Sequence, residues 1–135
     1  MKHILLLEDD SDVSSVLTRL LEEDNYYVSV STRAADAIEM LARVKVDLLV
    51  SDVLVIGGTA FAAVAAANQR EVPYFLITGS LEHMAEFEAN GEFHLAKPFK
   101  LAEFLGAVRD RIGRADDEAE VERAASSRPP PRRAF

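Results

Sequence analysis

Five side chains able to do chemistry follow, one after another, on short apolar runs. Glu8 and Asp9 come after HILLL, Asp52 after DLLVS, Thr78 after VPYFLI and Lys97 after FHLA. If those runs are parallel strands, the five groups share the carboxyl edge of one sheet, where ligands of α/β folds bind. Carboxylates gathered there repel one another and each loses hydration, so a cation is needed to hold them together. Magnesium is the natural choice, because all-oxygen donors suit a hard divalent ion that keeps several waters. A lysine and a hydroxyl beside an aspartate nucleophile complete the requirements of phosphoryl transfer. The metal and the lysine offset charge on the phosphoryl oxygens while the aspartate attacks.

The elements that must position these groups alternate strand with helix, the pattern of an α/β fold with a parallel sheet. His3 to Leu7 reads as a strand buried on both faces. A helix follows, capped by Asp10 or Ser11, with Val13, Val16, Leu17, Leu20 and Leu21 on its inner face. Tyr26 to Val30 is the second strand. Ala35 to Leu41 is a helix with Ile38 and Leu41 inward, and Val46 to Val50 is the third strand. Gly57 and Gly58 open a loop before an Ala-rich helix over 61–68. Val72 to Ile77 is the fourth strand, Leu81 to Ala89 a weak helix and Phe93 to Leu95 a short fifth strand. Leu101, Phe104, Leu105, Val108 and Ile112 form the apolar stripe of the last helix. Five strands and five helices result, and the first and third strands of such a winding are neighbours.

Composition bounds the function. The 135 residues fit one domain. The absence of cysteine excludes a disulfide framework and thiolate metal sites, and fits a cytoplasmic protein. No signal-peptide pattern opens the chain, and no apolar run approaches the roughly 20 residues of a membrane span. A net charge of -8 argues against a nucleic-acid surface. Residues 1–113 are expected to form the domain. Over 114–135 lies a charged, Pro-rich tail that extends the last helix to about Ala125 and is disordered from Ser126.

"LLLEDD" at 5–10, "DLLVSD" at 47–52, "ITG" at 77–79 and "KPF" at 97–99 resemble, in order, the signature blocks of the bacterial two-component response regulator receiver domain, in its single-domain, chemotaxis-receiver-like form. The resemblance covers residues 1 to about 113. It implies a flavodoxin-like (βα)5 three-layer sandwich with a parallel five-stranded sheet of order 2-1-3-4-5. Asp52 would be phosphorylated from a phosphohistidine. Asp9, Asp52 and the backbone carbonyl of Leu54 would hold magnesium, with Glu8 acting through water. Thr78 and Lys97 would contact the phosphoryl group, and Lys97-Pro98 would be a cis peptide. Thr78 and, at the family's aromatic position, His94 would form the switch. Partners would be a histidine kinase or histidine phosphotransfer protein and a downstream protein target, with no nucleic acid and no membrane, the receiver being monomeric or a weak dimer. Such a receiver accepts a phosphoryl group and promotes its own phosphotransfer without being a conventional turnover enzyme.

The chain departs from the family pattern in places. Ile56 stands where most receivers have proline, and Ala60 where a glycine is usual. The intervals from Asp52 to Thr78 and from Thr78 to Lys97 are short, so the third and fourth helices should be short. These departures bear on switching more than on chemistry, and they leave a pseudo-receiver binding module as the alternative. A phosphatase with an aspartate nucleophile would want an acid at position 54, where Leu54 stands; Leu54 also implies slow self-dephosphorylation. Simpler readings cover other residues: Asp10 as a helix cap, His94 as a half-buried packing residue, Phe87 and Phe93 as core, and His3 and His83 as surface or edge residues.

Overall fold

The computed structural model describes residues 1–127. Its elements run β1 (His3–Leu7), α1 (Ser11–Glu23), β2 (Tyr27–Ser31), α2 (Ala34–Arg43) and β3 (Leu48–Asp52). They continue with β4 (Leu54–Val55), β5 (Gly58–Thr59), α3 (Phe61–Gln69), β6 (Tyr74–Thr78), α4 (Leu81–Ala89), β7 (His94–Ala96) and α5 (Leu101–Ser127). Five strands form one parallel sheet in the order β2-β1-β3-β6-β7. This is the flavodoxin-like 2-1-3-4-5 order once the small β4–β5 hairpin is set aside.

Alternation along the strands divides the core between two faces. Ile4, Leu6, Val50, Phe75 and Ile77 face α1 and α5, where they meet Leu17, Leu21, Phe104, Val108 and Ile112. Leu5, Leu7 and Leu49 face α2 and α3, meeting Leu41 and the small side chains Ala37, Ala63 and Ala67. The alanines let α3 lie close to the sheet although it is only nine residues long. On α4, Phe87 is the buried residue, packed with Val53 and Leu76.

Several elements differ from the sequence reading. Val16 is 50% exposed and Leu101 is 45% exposed, so neither belongs to the buried stripe of its helix. Phe93 is 47% exposed and meets Phe75 edge to face, because β7 begins one residue later and leaves Phe93 just outside the strand, with Leu95 as its buried residue. His3 and His83 are half-buried: His3 bonds Ser29 Oγ and the Lys45 carbonyl, and His83 lies between Phe61 and Phe87. The Gly57-Gly58 loop is the turn end of a hairpin that pairs Leu54 with Thr59 and Val55 with Gly58. Its turn needs the positive φ values of Gly57 (92°) and Gly58 (140°). Helix α5 continues through Ser126 and Ser127, so the expected irregular tail does not begin at Ser126, and 128–135 lie outside the described residues. No described helix is long and apolar enough to cross a membrane.

Candidate functional site

Strand register brings the site together. Leu7 lies opposite Ser51, so Glu8 and Asp52 leave adjacent strands side by side. On the other flank Asp52 pairs with Ile77 and Thr78 with Ala96, which puts Thr78 and Lys97 at the same carboxyl edge. The Lys97 backbone N–H donates to the Thr78 carbonyl at 2.9 Å, fixing where the lysine side chain starts, and the Lys97-Pro98 peptide is cis.

The Lys97 ammonium donates to Asp52 Oδ2 at 2.6 Å and stands 4.0 Å from Glu8 Oε2. Burial pulls the Lys97 pKa down, but the bond to Asp52 and the charges of Asp52, Glu8 and Asp9 more than offset this, so it is raised. Glu8 is only 2% exposed. Its Oε1 accepts the Asp10 backbone N–H at 3.2 Å, while Oε2 has no hydrogen-bond partner. Burial, with the neighbouring charges of Asp52 and Asp9, pushes the Glu8 carboxyl up to about 7, against the lowering effects of the Asp10 N–H and Lys97.

The remaining expected residues fall around this centre. Asp9 is exposed at the rim and does not join the Glu8–Lys97–Asp52 contact. Asp10 caps α1, its side chain accepting the N–H groups of Asp12 and Val13 at 2.9 and 3.2 Å. Thr78 is buried, and its Oγ1 accepts the Ser80 N–H at 3.0 Å. The Leu54 side chain is 55% exposed. Ala60 N–H bonds the Val53 carbonyl at 2.9 Å, so by the alternation of antiparallel pairs Leu54 and Thr59 are a non-bonded pair. The Leu54 carbonyl is thereby left out of the hairpin's own ladder. His94 is half-buried, tilted on the Phe87 ring at 5.5 Å.

Sequence reading missed Ser80, whose Oγ caps α4 by accepting the His83 N–H at 3.4 Å. The Ser at the start of a weak apolar period was the available signal.

Among the described residues, no three acidic or histidine side chains are already gathered as a metal cage. The donor chemistry nevertheless fits a hard cation. Glu8 offers a buried oxygen without a hydrogen-bond partner, Asp52 is its neighbour, and the Leu54 carbonyl, outside the hairpin's ladder, lies two residues on. Carboxylates, a lysine and a hydroxyl at one edge equip the pocket to receive a phosphoryl group on an aspartate oxygen.

Comparison with known proteins agrees with this geometry. The model of the response regulator receiver domain matches residues 4–109. Response regulator MprA of Mycobacterium leprae is 32% identical over 124 residues, covering 87% of this chain and 54% of that protein. This chain thus spans about half the length of the curated relatives it matches. The receiver domain of a sensor histidine kinase from Pseudomonas aeruginosa PAO1, solved with a magnesium ion coordinated in its active site cleft, is 25% identical with a TM-score of 0.73. That alignment covers 83% of this chain and 98% of that one. A CheY-like receiver from Methanospirillum hungatei JF-1 shares the fold at 20% identity, with a TM-score of 0.78 over 87% of this chain and 98% of its own. By sequence block, strand order and edge chemistry alike, the chain belongs to the response regulator receiver domain family.

Proposed function

We propose that this receiver accepts a phosphoryl group from a phosphohistidine onto Asp52 and signals by protein contact made with its own surface. The reading holds for a receiver acting alone or tethered. The observation that carries it is the 2.6 Å contact between Lys97 and Asp52 beside the buried Glu8 oxygen that has no hydrogen-bond partner. An Asp52 carboxylate oxygen forms the new P–O bond as the P–N bond of phosphohistidine breaks; the imidazole nitrogen keeps the electron pair and takes a proton. Lys97 offsets charge on the phosphoryl oxygens, and the Thr78 hydroxyl donates to one of them. Asp9, Asp52 and the Leu54 carbonyl would hold magnesium, with Glu8 acting through water. When bound, the ion supplies further charge compensation to the phosphoryl oxygens. The turnover is one phosphoryl group per protein, unlike that of a conventional enzyme.

The donor is a histidine kinase or histidine phosphotransfer protein, and the reader of the phosphorylated state is a downstream protein. The receiver unit is residues 1–113, with 114–135 as an appended segment. We place it in the cytoplasm as a monomer or weak dimer, a reading supported by the cysteine-free sequence and the net charge of -8.

Incubation with magnesium and a small-molecule phosphodonor, followed by intact mass, tests the chemistry. One phosphoryl group is expected on the native chain and none on Asp52→Ala. A native chain that takes up none, and does not respond to beryllofluoride, would return the protein to the alternative of a phosphorylation-independent binding module.

A further inference from the structure

Strand β2 is one open edge of the sheet. The Tyr27 N–H donates to the Lys2 carbonyl at 2.9 Å, and the Ser31 carbonyl accepts the Glu8 N–H at 3.0 Å. In a parallel ladder every second residue turns both its N–H and its C=O to the same neighbour, so Tyr27, Ser29 and Ser31 serve β1. Val28 and Val30 therefore turn theirs away from the sheet, which leaves two donors and two acceptors on the free edge.

Natural edges are blunted by short strands, lysine or proline. The opposite edge, β7, has this protection: it is three residues long, and Lys97-Pro98 follows it at once. Strand β2 lacks it. It is five residues long, and 25–32 hold no charge and no proline in a chain of net charge -8. Val30 is 41% and Tyr27 58% exposed, so neither α1 nor α2 closes over the strand.

We propose that β2 is a docking edge for β2 of a second copy of this chain, running antiparallel about a two-fold axis at Ser29. In that register Val28 of each copy faces Val30 of the other. The residues of such a pair exchange both backbone bonds, so every outward group of the two valines is satisfied at once. An axis at Val28 instead would set Val30 against Tyr26, whose N–H is already given to the Leu21 carbonyl at 3.1 Å. The side chains agree with the first register. At the axis Ser29 meets its own copy, in the non-bonded pair where side chains come closest and a small residue fits. On the other face the valines pair across the strands. The depression beside Val30 carries one charge of each sign, Arg19 and Glu22, which a reversed copy answers with Glu22 and Arg19. Because the copies run in opposite directions, their carboxyl edges point to opposite ends of the joined sheet, and both Asp52 pockets stay open. The contact is one short strand per copy, so association is weak and depends on concentration.

Sedimentation at rising concentration tests the association, and the weight-average mass should climb from one chain, 14.9 kDa, towards two. Val30→Pro removes an outward donor without touching the β1 ladder, and should weaken association at least about tenfold. Val30→Thr, which keeps the N–H and the branched side chain, should associate like the native chain. The chain has no cysteine, so Ser29→Cys supplies a single thiol. Its α-carbon would lie about 4.5 Å from that of its copy, within disulfide reach. Under mild oxidation this variant should cross-link into a dimer, while Thr32→Cys, about 20 Å from its copy in this register, should not. A mass fixed at one chain, association kept in Val30→Pro, or Thr32→Cys cross-linking as readily as Ser29→Cys overturns the proposal.

Discussion

Burial of Glu8 with one oxygen lacking a hydrogen bond raises its affinity for a proton, and stability should follow pH accordingly. The folded carboxyl titrates at about 7, against an ordinary value of 4.5. Between those values the folded chain holds a proton that the unfolded chain has released. Stability in the absence of divalent ions is therefore greatest below about pH 4.5 with respect to this group, and falls as pH rises to about 7. The loss is at most about 3 kcal/mol. Urea melts at pH 5.5 and 7.5 should show this fall in the native chain and a flatter dependence in Glu8→Gln; an equal slope in the variant would count against the burial account. Leu54 leads to a second expectation. An exposed apolar side chain two residues beyond Asp52 offers nothing to orient an attacking water. Leu54→Asn should shorten the lifetime of the aspartyl phosphate by about tenfold, equivalent to about 1.4 kcal/mol of barrier, as read by loss of the mass adduct over time. Glu8, Asp52, Thr78 and Lys97 were legible in the sequence because each follows an apolar run, and parallel register does the rest. The Lys97–Asp52 bond and the unpaired Glu8 oxygen were not, since both depend on side-chain reach that spacing does not encode.

At the scale of elements, the β4–β5 hairpin stands between Asp52 and α3, in the segment where the family pattern would have proline. Its two-residue strands are too short to show alternation, so glycine marked only a loop in the sequence. Gly58 has φ 140°, a region nearly closed to residues with a Cβ. Gly58→Ala should cost about 1–3 kcal/mol and release the Leu54 backbone from its set position. A denaturant melt reads the first effect and a weakened magnesium response the second. A variant as stable as the native chain would mean that the turn relaxes freely. Helix α1 shows the opposite error: Val16 fits the apolar period, yet the helix is too narrowly covered by α5 and the sheet to bury it. Periodicity gives the stripe but not the width of the partner surface.

Across the whole molecule, the strand order was legible because alternating elements with short connections leave few ways to wind a parallel sheet. The reach of α5 was less so, since charged residues after Gly113 fit both a helix and a tail. Within 114–127, Ala115 and Ala119 are half-buried, and Asp116 pairs with Lys2 at 2.8 Å. That pair is solvent-exposed and worth no more than about 1 kcal/mol. A chain ended after Gly113 should therefore melt within about 1 kcal/mol of the full chain, whereas a much larger loss would make the overhang part of the core. The overhang also has a mechanical consequence. Fourteen helical residues beyond Gly113 make a rod of about 21 Å, rooted in the receiver core through Phe104, Val108 and Ile112 and held to the body along its first turns through Ala115, Asp116 and Ala119. A rigid rod converts angle into distance: a tilt of about 10° at its base sweeps the far end through about 4 Å, a displacement larger than most hydrogen bonds are long.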